Sequence, residues 1–414
     1  MKRTAIGEAP GRLDFLGGVA DYSGALVLET PIAATTRVEI TTLPNAAWSL
    51  NSQDHGRWAA PAEPLIGALS AGGPVAREAL DSQAAPQWVR YPLGCLWAFC
   101  HQTGWRPNGG LSFAIKSDVP ECMGVSSSAA LEVATLRALE DLSGTRLHGT
   151  DLARLGQFAE NQIADAPCGL MDQLTAAYGK GGALLQILCR PDILQPAIPL
   201  PKGVLIVGWA SGVPHSVSGA AYARARAAAF AGKRIFERAL ERTWEFAAEI
   251  PPSLFQRHAK RTLPETIRGE FFLDDYGETD DPLSVIEPGE TYGVRAALRF
   301  PIEETFRSEL AVSLLSSASG RRRGDHLRQV GELLLQSHVG YSALGLGSAE
   351  TDRMVEELMR VGPDHGLYGA RVSGGGCGGA VVVLLEKSAL DTLRDLANKV
   401  QFNGTRTKLI PGKE

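Results

Sequence analysis

The sequence predicts an α+β fold of two domains, and three observations carry that prediction. Alternating apolar residues mark half-buried strands, as around Val38 and Ile40 in "TTRVEITTL" (35–43). Between Ser128 and Leu142, Leu131, Val133, Ala134, Leu136 and Leu139 recur near helical spacing. Strands and helices then follow one another without the regular βαβ beat of a doubly wound parallel sheet. The 414 residues are enough for more than one domain. The punctuation "IPLPKG" sets the boundary near residue 200, giving domains 1–200 and 201–414.

In chain order, "LSFAIKSDV" (111–119) reads as a strand that runs into a glycine- and serine-rich turn. The helix from Ser128 to Leu142 follows, and Gly144 ends it. A second helix is expected over 151–166, before "PCGLMDQLTAAYG". Two continuous apolar runs, "GALLQIL" (182–188) and "GVLIVGW" (203–209), read as buried strands. The second half opens with an Ala/Arg-rich helix predicted over 220–248. The polar excursion "FLDDYGETDDPLSVIEPGETY" (272–292) reads as a solvated surface element. Helices are expected over 303–317 and 325–339, and "LYGARVSGGGCGGAVVVLL" (367–385) goes from strand through glycine loop to strand.

Composition excludes several classes. The chain is 44% hydrophobic and 21% charged, an ordinary globular balance. A net charge of −5 is the wrong sign for a nucleic-acid binder, and the run Arg321–Arg323, flanked by glycines, reads as a solvated loop. No stretch approaches the about 18 apolar residues of a membrane span, and the first residues carry no apolar core of signal-peptide length. Six scattered cysteines form no C-x-x-C pair and no Cys/His cluster, which argues against a zinc site or a disulfide framework. Reduced thiols in a cytoplasmic protein are expected.

Four segments carry chemistry. In "MGVSSSAALEVA" (123–134) a glycine and three serines open a helix. Backbone N–H groups at a helix N-terminus attract phosphate, and serine hydroxyls add donors or Mg²⁺ ligands. One serine suffices as an N-cap; three after a glycine exceed capping. The segment is not a Walker A loop, whose lysine it lacks. "SGGGCGG" (373–379) contains G-x-G-x-x-G at Gly374, Gly376 and Gly379, but β-branched residues follow instead of a helix. It therefore reads as a tight loop where backbone passes close to a ligand or another segment, not as a dinucleotide fingerprint. "CGLMDQ" (168–173) sets Asp172 among apolar residues. Such a carboxylate is either a satisfied structural acceptor or a catalytic group held ionised by a cation, for which Arg12 is a candidate. Lastly, "GRLDFLGGVADYSG" (11–24) places bland residues between Arg12 and Asp21.

Taken in order, these segments resemble the motifs of the GHMP small-molecule kinases. "APGRLDFLGGVADYSG" is similar to the first motif, "PECMGVSSSAALEVA" to the second and "RVSGGGCGGA" to the third. "CGLMDQ" and "SGVPHSVSGAAY" resemble the galactokinase branch. The resemblance implies a ribosomal-protein-S5-like N-terminal domain, a ferredoxin-like C-terminal domain, and ATP, Mg²⁺ and a small-molecule sugar as ligands, with neither nucleic acid nor membrane as partner. By the same resemblance Gly124, Val125, Ser126, Ser127, Ser128, Ala129, Gly374 and Gly376 meet ATP, and Ser128 and Glu160 (in "FAENQ") hold Mg²⁺. Asp172 matches the catalytic carboxylate that faces the anomeric hydroxyl, and Arg12 the arginine that polarises it. Asp21, Gly18, Val19, Cys168, Gly169, Tyr222 and Gly375 fall on the sugar side. For Tyr222, a purely structural role on an Ala-rich helix is the alternative.

One departure is informative. Galactokinases carry Gly-Glu-His-Thr-Asp-Tyr where this chain has Gly17-Gly18-Val19-Ala20-Asp21-Tyr22. In that family the Glu and His contact the O6 end of galactose and the Asp contacts ring hydroxyls. Without the first two, a buried O6 hydroxyl would be poorly paired, at a cost of about 1–3 kcal/mol. The resemblance therefore points to a galactose-like ring without C6, which is L-arabinopyranose, and to L-arabinose 1-phosphate as product. "GRLDFLGGVADYSG", "FFLDDYGETDDPLSVIEPGETY" and "SHVGYSALGLGSAETDR" resemble the L-arabinokinase domain of plants. The alternatives are a galactokinase, a 1-kinase for a uronic acid or heptose, and a non-catalytic sugar/ATP sensor. Gly18-Val19-Ala20 offers no cation for a uronate, and a sensor would not need both Arg12 and Asp172.

Overall fold

The computed structural model of the chain describes residues 3–44, 47–69, 71–148, 150–166, 168–213 and 219–414. Residue 167 and residues 214–218 inside "SGVPHSVSGAAY" lie outside the described residues. Two compact units are present: Met1–Arg12 with Pro31–Glu121 and Ser126–Gly179, and Leu13–Thr30 with Cys122–Val125 and Lys180–Glu414.

In chain order the elements of the first unit are β1 (Thr4–Leu16) and β2 (Leu26–Leu43), whose other ends belong to the second unit, then β3 (Ala47–Ser52), β4 (Gly56–Pro61), α1 (Ala62–Ala68), α2 (Gly73–Ser82), α3 (Gln87–Thr103), β5 (Gly110–Ser117), α4 (Ser127–Ser143), α5 (Asp151–Ala159) and α6 (Met171–Tyr178). Residues Thr36–Leu43 of β2 pair antiparallel with β5; β3 pairs parallel with β5 and antiparallel with β4. The alternation around Val38 and Ile40 puts both in the core with Leu50, Phe113, Leu93, Phe99, Val133, Leu136 and Leu139. α4 ends at Gly144 in the left-handed conformation, as its glycine predicts.

The second unit adds β6 (Ala183–Leu188), β7 (Ile193–Pro199), β8 (Val204–Ala210), α7 (Gly219–Leu240), α8 (Pro252–Thr262), β9 (Ile267–Arg268), α9 (Gly269–Tyr276), β10 (Thr291–Tyr292), α10 (Val294–Ser316), α11 (Arg323–Ala343), α12 (Ala349–Val361), β11 (Leu367–Val372), β12 (Ala380–Glu386), α13 (Leu390–Lys399), β13 (Gln401–Phe402), β14 (Thr405–Arg406) and β15 (Lys408–Pro411). A four-stranded antiparallel sheet runs in the order β11-β12-β8-β15. Residues Leu26–Glu29 of β2 pair with β6, which pairs with β7. The mixture of largely antiparallel sheets with helices is the predicted α+β class. Among the described residues no helix is long and apolar enough to cross a membrane.

Two helix lengths are corrected. The helix over 220–248 stops at Leu240, because Trp244 turns back: its N–H donates to Glu237 Oε1 at 2.8 Å and its ring stacks on Phe236 at 6.0 Å. The helix over 151–166 is α-helical only to Ala159 and continues as one π turn, Glu160–Ala164. β7, which runs into the "IPLPKG" punctuation, carries two prolines and a mostly uncovered face, the habit of an outer strand. The acidic stretch 272–292 is the mostly exposed surface element its charge predicts, anchored at two points: Asp281 takes a bidentate pair from Arg226 (2.7 and 2.9 Å), and Asp280 pairs with the buried Lys233 (2.6 Å).

Two features fix the second unit. α11 and β11 approach until backbone meets backbone: a Cβ on Gly331 would lie 2.0 Å from the Tyr368 carbonyl oxygen. At the end of β1, Asp14 forms an ion pair with Arg371 of β11 in which neither side chain is exposed (2.9 and 3.2 Å). Gly331→Ala is expected to cost about 1–3 kcal/mol through overpacking, seen as a lowered melting temperature. Arg371→Met strands the Asp14 carboxylate and should cost about 3–5 kcal/mol, read from the urea midpoint. A midpoint equal to wild type in either variant refutes that packing.

Candidate active site

In the first unit the start of α4 and the first turn of α6 bring three side chains together. Arg12 donates from Nε (2.9 Å) and Nη2 (2.7 Å) to Asp172 Oδ1. Ser126 donates from Oγ to Asp172 Oδ2 at 2.5 Å. Ser126 sits in the N-cap place of α4 with φ 57° and ψ 53°, yet its side chain caps nothing. The hydroxyl serves the carboxylate instead. Arg12 is the cation that a functional reading of Asp172 required, and nothing in the sequence spacing showed that the two meet. The arginine side chain is 4% exposed and that of Asp172 22%, so a carboxylate held by charge still opens to a ligand.

Beside this trio lies a buried acidic cluster. Glu160, the first residue of the π turn, is buried, and the nearby Ser128 hydroxyl favours its charged form. Its Oε2 accepts from Gln173 Nε2 (2.7 Å) and Cys168 Sγ (3.1 Å). Gln173 Nε2 reaches Glu132 Oε2 of α4 at 2.9 Å as well. Burial pushes both glutamates above the usual carboxylate range, Glu132 further by the charge of Glu160. Burial likewise pushes the Cys168 thiol up, so this cysteine is a packed hydrogen-bonding group and not a reactive thiolate. Ser128 and Glu160 thus stand as adjacent hard oxygen donors, a fit to Mg²⁺, which takes one or two protein oxygens and completes its shell with phosphates and water. Among the described residues no group of three or more His, Cys, Asp or Glu forms a self-sufficient metal cage.

Glu132 and Gln173 were missed in the sequence. The only available signal was a glutamate on the apolar face of a helix, in "AALEVATL", and a glutamine next to Asp172. Gly169 is a half-buried loop residue; Ser127 and Ala129 begin α4, Ala129 fully buried.

In the second unit the first motif is a tight 3₁₀ turn, Gly18–Ser23. Its backbone is pinned by side chains: Gly17 N–H donates to Glu304 Oε1 (3.0 Å), Gly18 N–H to Asp14 Oδ1 (3.1 Å) and Val19 N–H to Tyr341 Oη (3.0 Å). Val19 is buried with Ala20, Tyr341, Leu346 and Val372. Asp21 accepts the Tyr22 N–H at 2.7 Å. The Tyr22 ring meets Tyr222 edge-on at 5.9 Å, and the Arg226 guanidinium covers it at 5.2 Å. Arg226 is in turn the partner of Asp281, so the acidic excursion braces the ring beside Asp21.

The glycine loop of the third motif packs on residues 122–125. A Cβ on Gly374 (φ 74°) would lie 2.8 Å from the Gly124 carbonyl oxygen, and one on Gly124 (φ 68°) 2.9 Å from that of Ser373. The glycines therefore serve a close backbone approach, as expected for a tight loop. Val125 and Gly376 are buried in this contact region and Gly375 is half-buried.

Residues 90–180 match the family model for the GHMP kinases N terminal domain and residues 322–400 that for the GHMP kinases C terminal region. An L-arabinokinase of Arabidopsis thaliana is 31% identical over 92% of this chain, which spans 42% of that protein's length. A galactokinase of Chloroflexus aggregans is 30% identical over 94% of this chain and 85% of its own, and one of Streptomyces coelicolor 29% identical over 94% and 86%. Among solved structures, Lactococcus lactis galactokinase complexed with galactose shares the fold with a TM-score of 0.78 at 18% identity, covering 99% of this chain and 93% of its own. An L. major mevalonate kinase in complex with R-mevalonate does so with a TM-score of 0.60 at 15% identity, covering 99% and 97%. The chain belongs to the GHMP kinase family and is a phosphotransferase of its galactokinase- and L-arabinokinase-like branch.

Proposed function

We propose that the protein is an ATP-dependent sugar 1-kinase that converts L-arabinose to L-arabinose 1-phosphate. The observation that carries the chemistry is the Arg12–Asp172–Ser126 constellation. In the transfer, the anomeric oxygen forms a bond to the γ-phosphorus, the bond to the ADP oxygen breaks, and the hydroxyl proton goes to Asp172. Arg12 orients that carboxylate through its first oxygen, and the Ser126 hydroxyl fixes its second. Phosphoryl transfer asks the protein mainly for positioning and charge neutralisation. Mg²⁺, when bound, supplies that neutralisation at the phosphates, and Ser128 and Glu160 would hold it. The phosphate-binding residues on this reading are Gly124, Val125, Ser126, Ser127, Ser128 and Ala129, with Gly374 and Gly376. Asp21, Tyr222, Cys168, Gly169 and Gly375 attend the sugar. The functional domains are 1–200 and 201–414, and six free cysteines suit a reducing cytoplasm.

The preference for L-arabinose rests on the bare segment Gly17–Ala20, where galactokinases present a glutamate and a histidine. The second reading is galactokinase, favoured by two galactokinase relatives that each match 94% of the chain. An ADP-release assay across L-arabinose, D-galactose, D-galacturonate and D-glucuronate separates them. Galactose should show kcat/KM about 5- to 150-fold below L-arabinose, the worth of one poorly paired hydroxyl; galactose turnover equal or better assigns the second reading. Asp172→Asn should lower kcat by about 10²- to 10⁴-fold at an unchanged melting temperature. Activity close to wild type in that variant removes Asp172 from the chemistry.

A further inference from the structure

Position 18 is bare, but the space around it is filled. Gly18 has φ 48°, and a Cβ there would lie 1.9 Å from Tyr341 Oη, 2.7 Å from Asp14 Oδ2 and 2.9 Å from Arg371 Nη2. Tyr341 comes from α11, far along the chain, and is wholly buried. Its hydroxyl accepts the Val19 N–H at 3.0 Å and donates to the Gly374 carbonyl at 2.9 Å. Its ring lies under the Arg371 guanidinium at 4.7 Å and meets Phe300 edge-on at 5.4 Å. One hydroxyl therefore links the first glycine motif to the third and occupies the volume through which any side chain at position 18 would leave the backbone.

We propose that Tyr341 is the residue that sets sugar selectivity, acting as a positioning residue: its hydroxyl excludes a side chain at position 18 and holds the Gly17–Val19 backbone against Gly374. The inference deepens the proposed function and rests on its reading of this segment as the sugar-facing one. It also changes what a selectivity swap requires. Writing glutamate and histidine into positions 18 and 19 collides with Tyr341, Asp14 and the apolar cluster around Val19; the swap needs a smaller residue at 341 as well.

The test is the ratio of kcat/KM for L-arabinose to that for D-galactose in Tyr341→Phe, which keeps the ring and removes only the hydroxyl. The ratio should fall at least fivefold, through a raised KM for L-arabinose. A merely structural tyrosine would lower the melting temperature and leave the ratio alone, and that result overturns the inference. Gly18→Ala presses on the same hydroxyl from the other side and should move the ratio in the same direction. It also serves if Tyr341→Phe does not fold, and an unchanged ratio in it is equally fatal. A wild type that turns over neither sugar overturns the proposed function and the inference together. A wild type that turns over both, with variants of unchanged ratio, overturns the inference alone.

Discussion

The ion pair between Asp14 and Arg371 is the contact on which the second unit's motifs depend. Neither side chain reaches solvent. Removing two charges from water costs several kcal/mol per ion, and their attraction offsets this only when geometry and additional hydrogen bonds are favourable. Here they are. Asp14 Oδ1 accepts from Arg371 Nη1 and from the Gly18 N–H, and Oδ2 accepts from Nη2. The Asp14 N–H donates to Ser373 Oγ, and the guanidinium lies on the Tyr341 ring. Arg371 Nε lacks a partner among the described residues, so the pair is not fully compensated. A pair of this kind is better at specifying one arrangement than at adding stability. What it specifies is the register of the "GRLDFLGG" segment against "ARVSGGG", two stretches more than 350 residues apart, as the Arg371–Asp14 separation of 357 shows.

Legibility in the sequence followed the range of the interactions. α4, with its apolar spacing and its terminal Gly144, is set by local signals and was read to within one residue at each end. The strand–glycine loop–strand unit of β11 and β12 was read for the same reason. The end of α7 was not, because Trp244 reaching back to Glu237 and Phe236 is a tertiary event with no local signature. The acidic 272–292 run is surface, as its charge indicates, but composition cannot show that Arg226 and Lys233 of α7 anchor it. The candidate site divides in the same way. Arg12, Asp172, Ser128 and Glu160 were each singled out, but their pairing was not visible. Glu132, Gln173 and Tyr341 carry no motif of their own; they matter through what they touch.

The two buried glutamates illustrate how that environment is made. Glu132 and Glu160 both raise their carboxyl proton affinity through burial, and Gln173 sits between them with one nitrogen donating to each. An amide that donates twice is a neutral spacer between two acids, and it holds Glu160 in place without adding charge. Asp172, the next residue to Gln173 in the chain, is treated in the opposite way, by a full cation at 2.7 Å. Two neighbouring residues on α6 thus organise two carboxylates of different character, one desolvated beside Ser128 and one paired and partly open.

Ser126 supplies the last link. A serine ahead of a helix ordinarily accepts from the backbone N–H groups of the first turn, and these are the donors that attract anions when left uncapped. In this chain Ser126 adopts a left-handed backbone conformation, makes no cap bond and gives its hydroxyl to Asp172. The departure has two consequences at once. The first-turn N–H groups of α4 keep their capacity for a phosphate, and the carboxylate gains an orienting donor that Arg12, bound to its other oxygen, does not provide. A strained backbone at a single serine is therefore the point at which the proposed phosphate-binding helix and the proposed proton acceptor are built as one piece. This also accounts for one serine beyond capping in "VSSSAA": Ser126 orients the carboxylate.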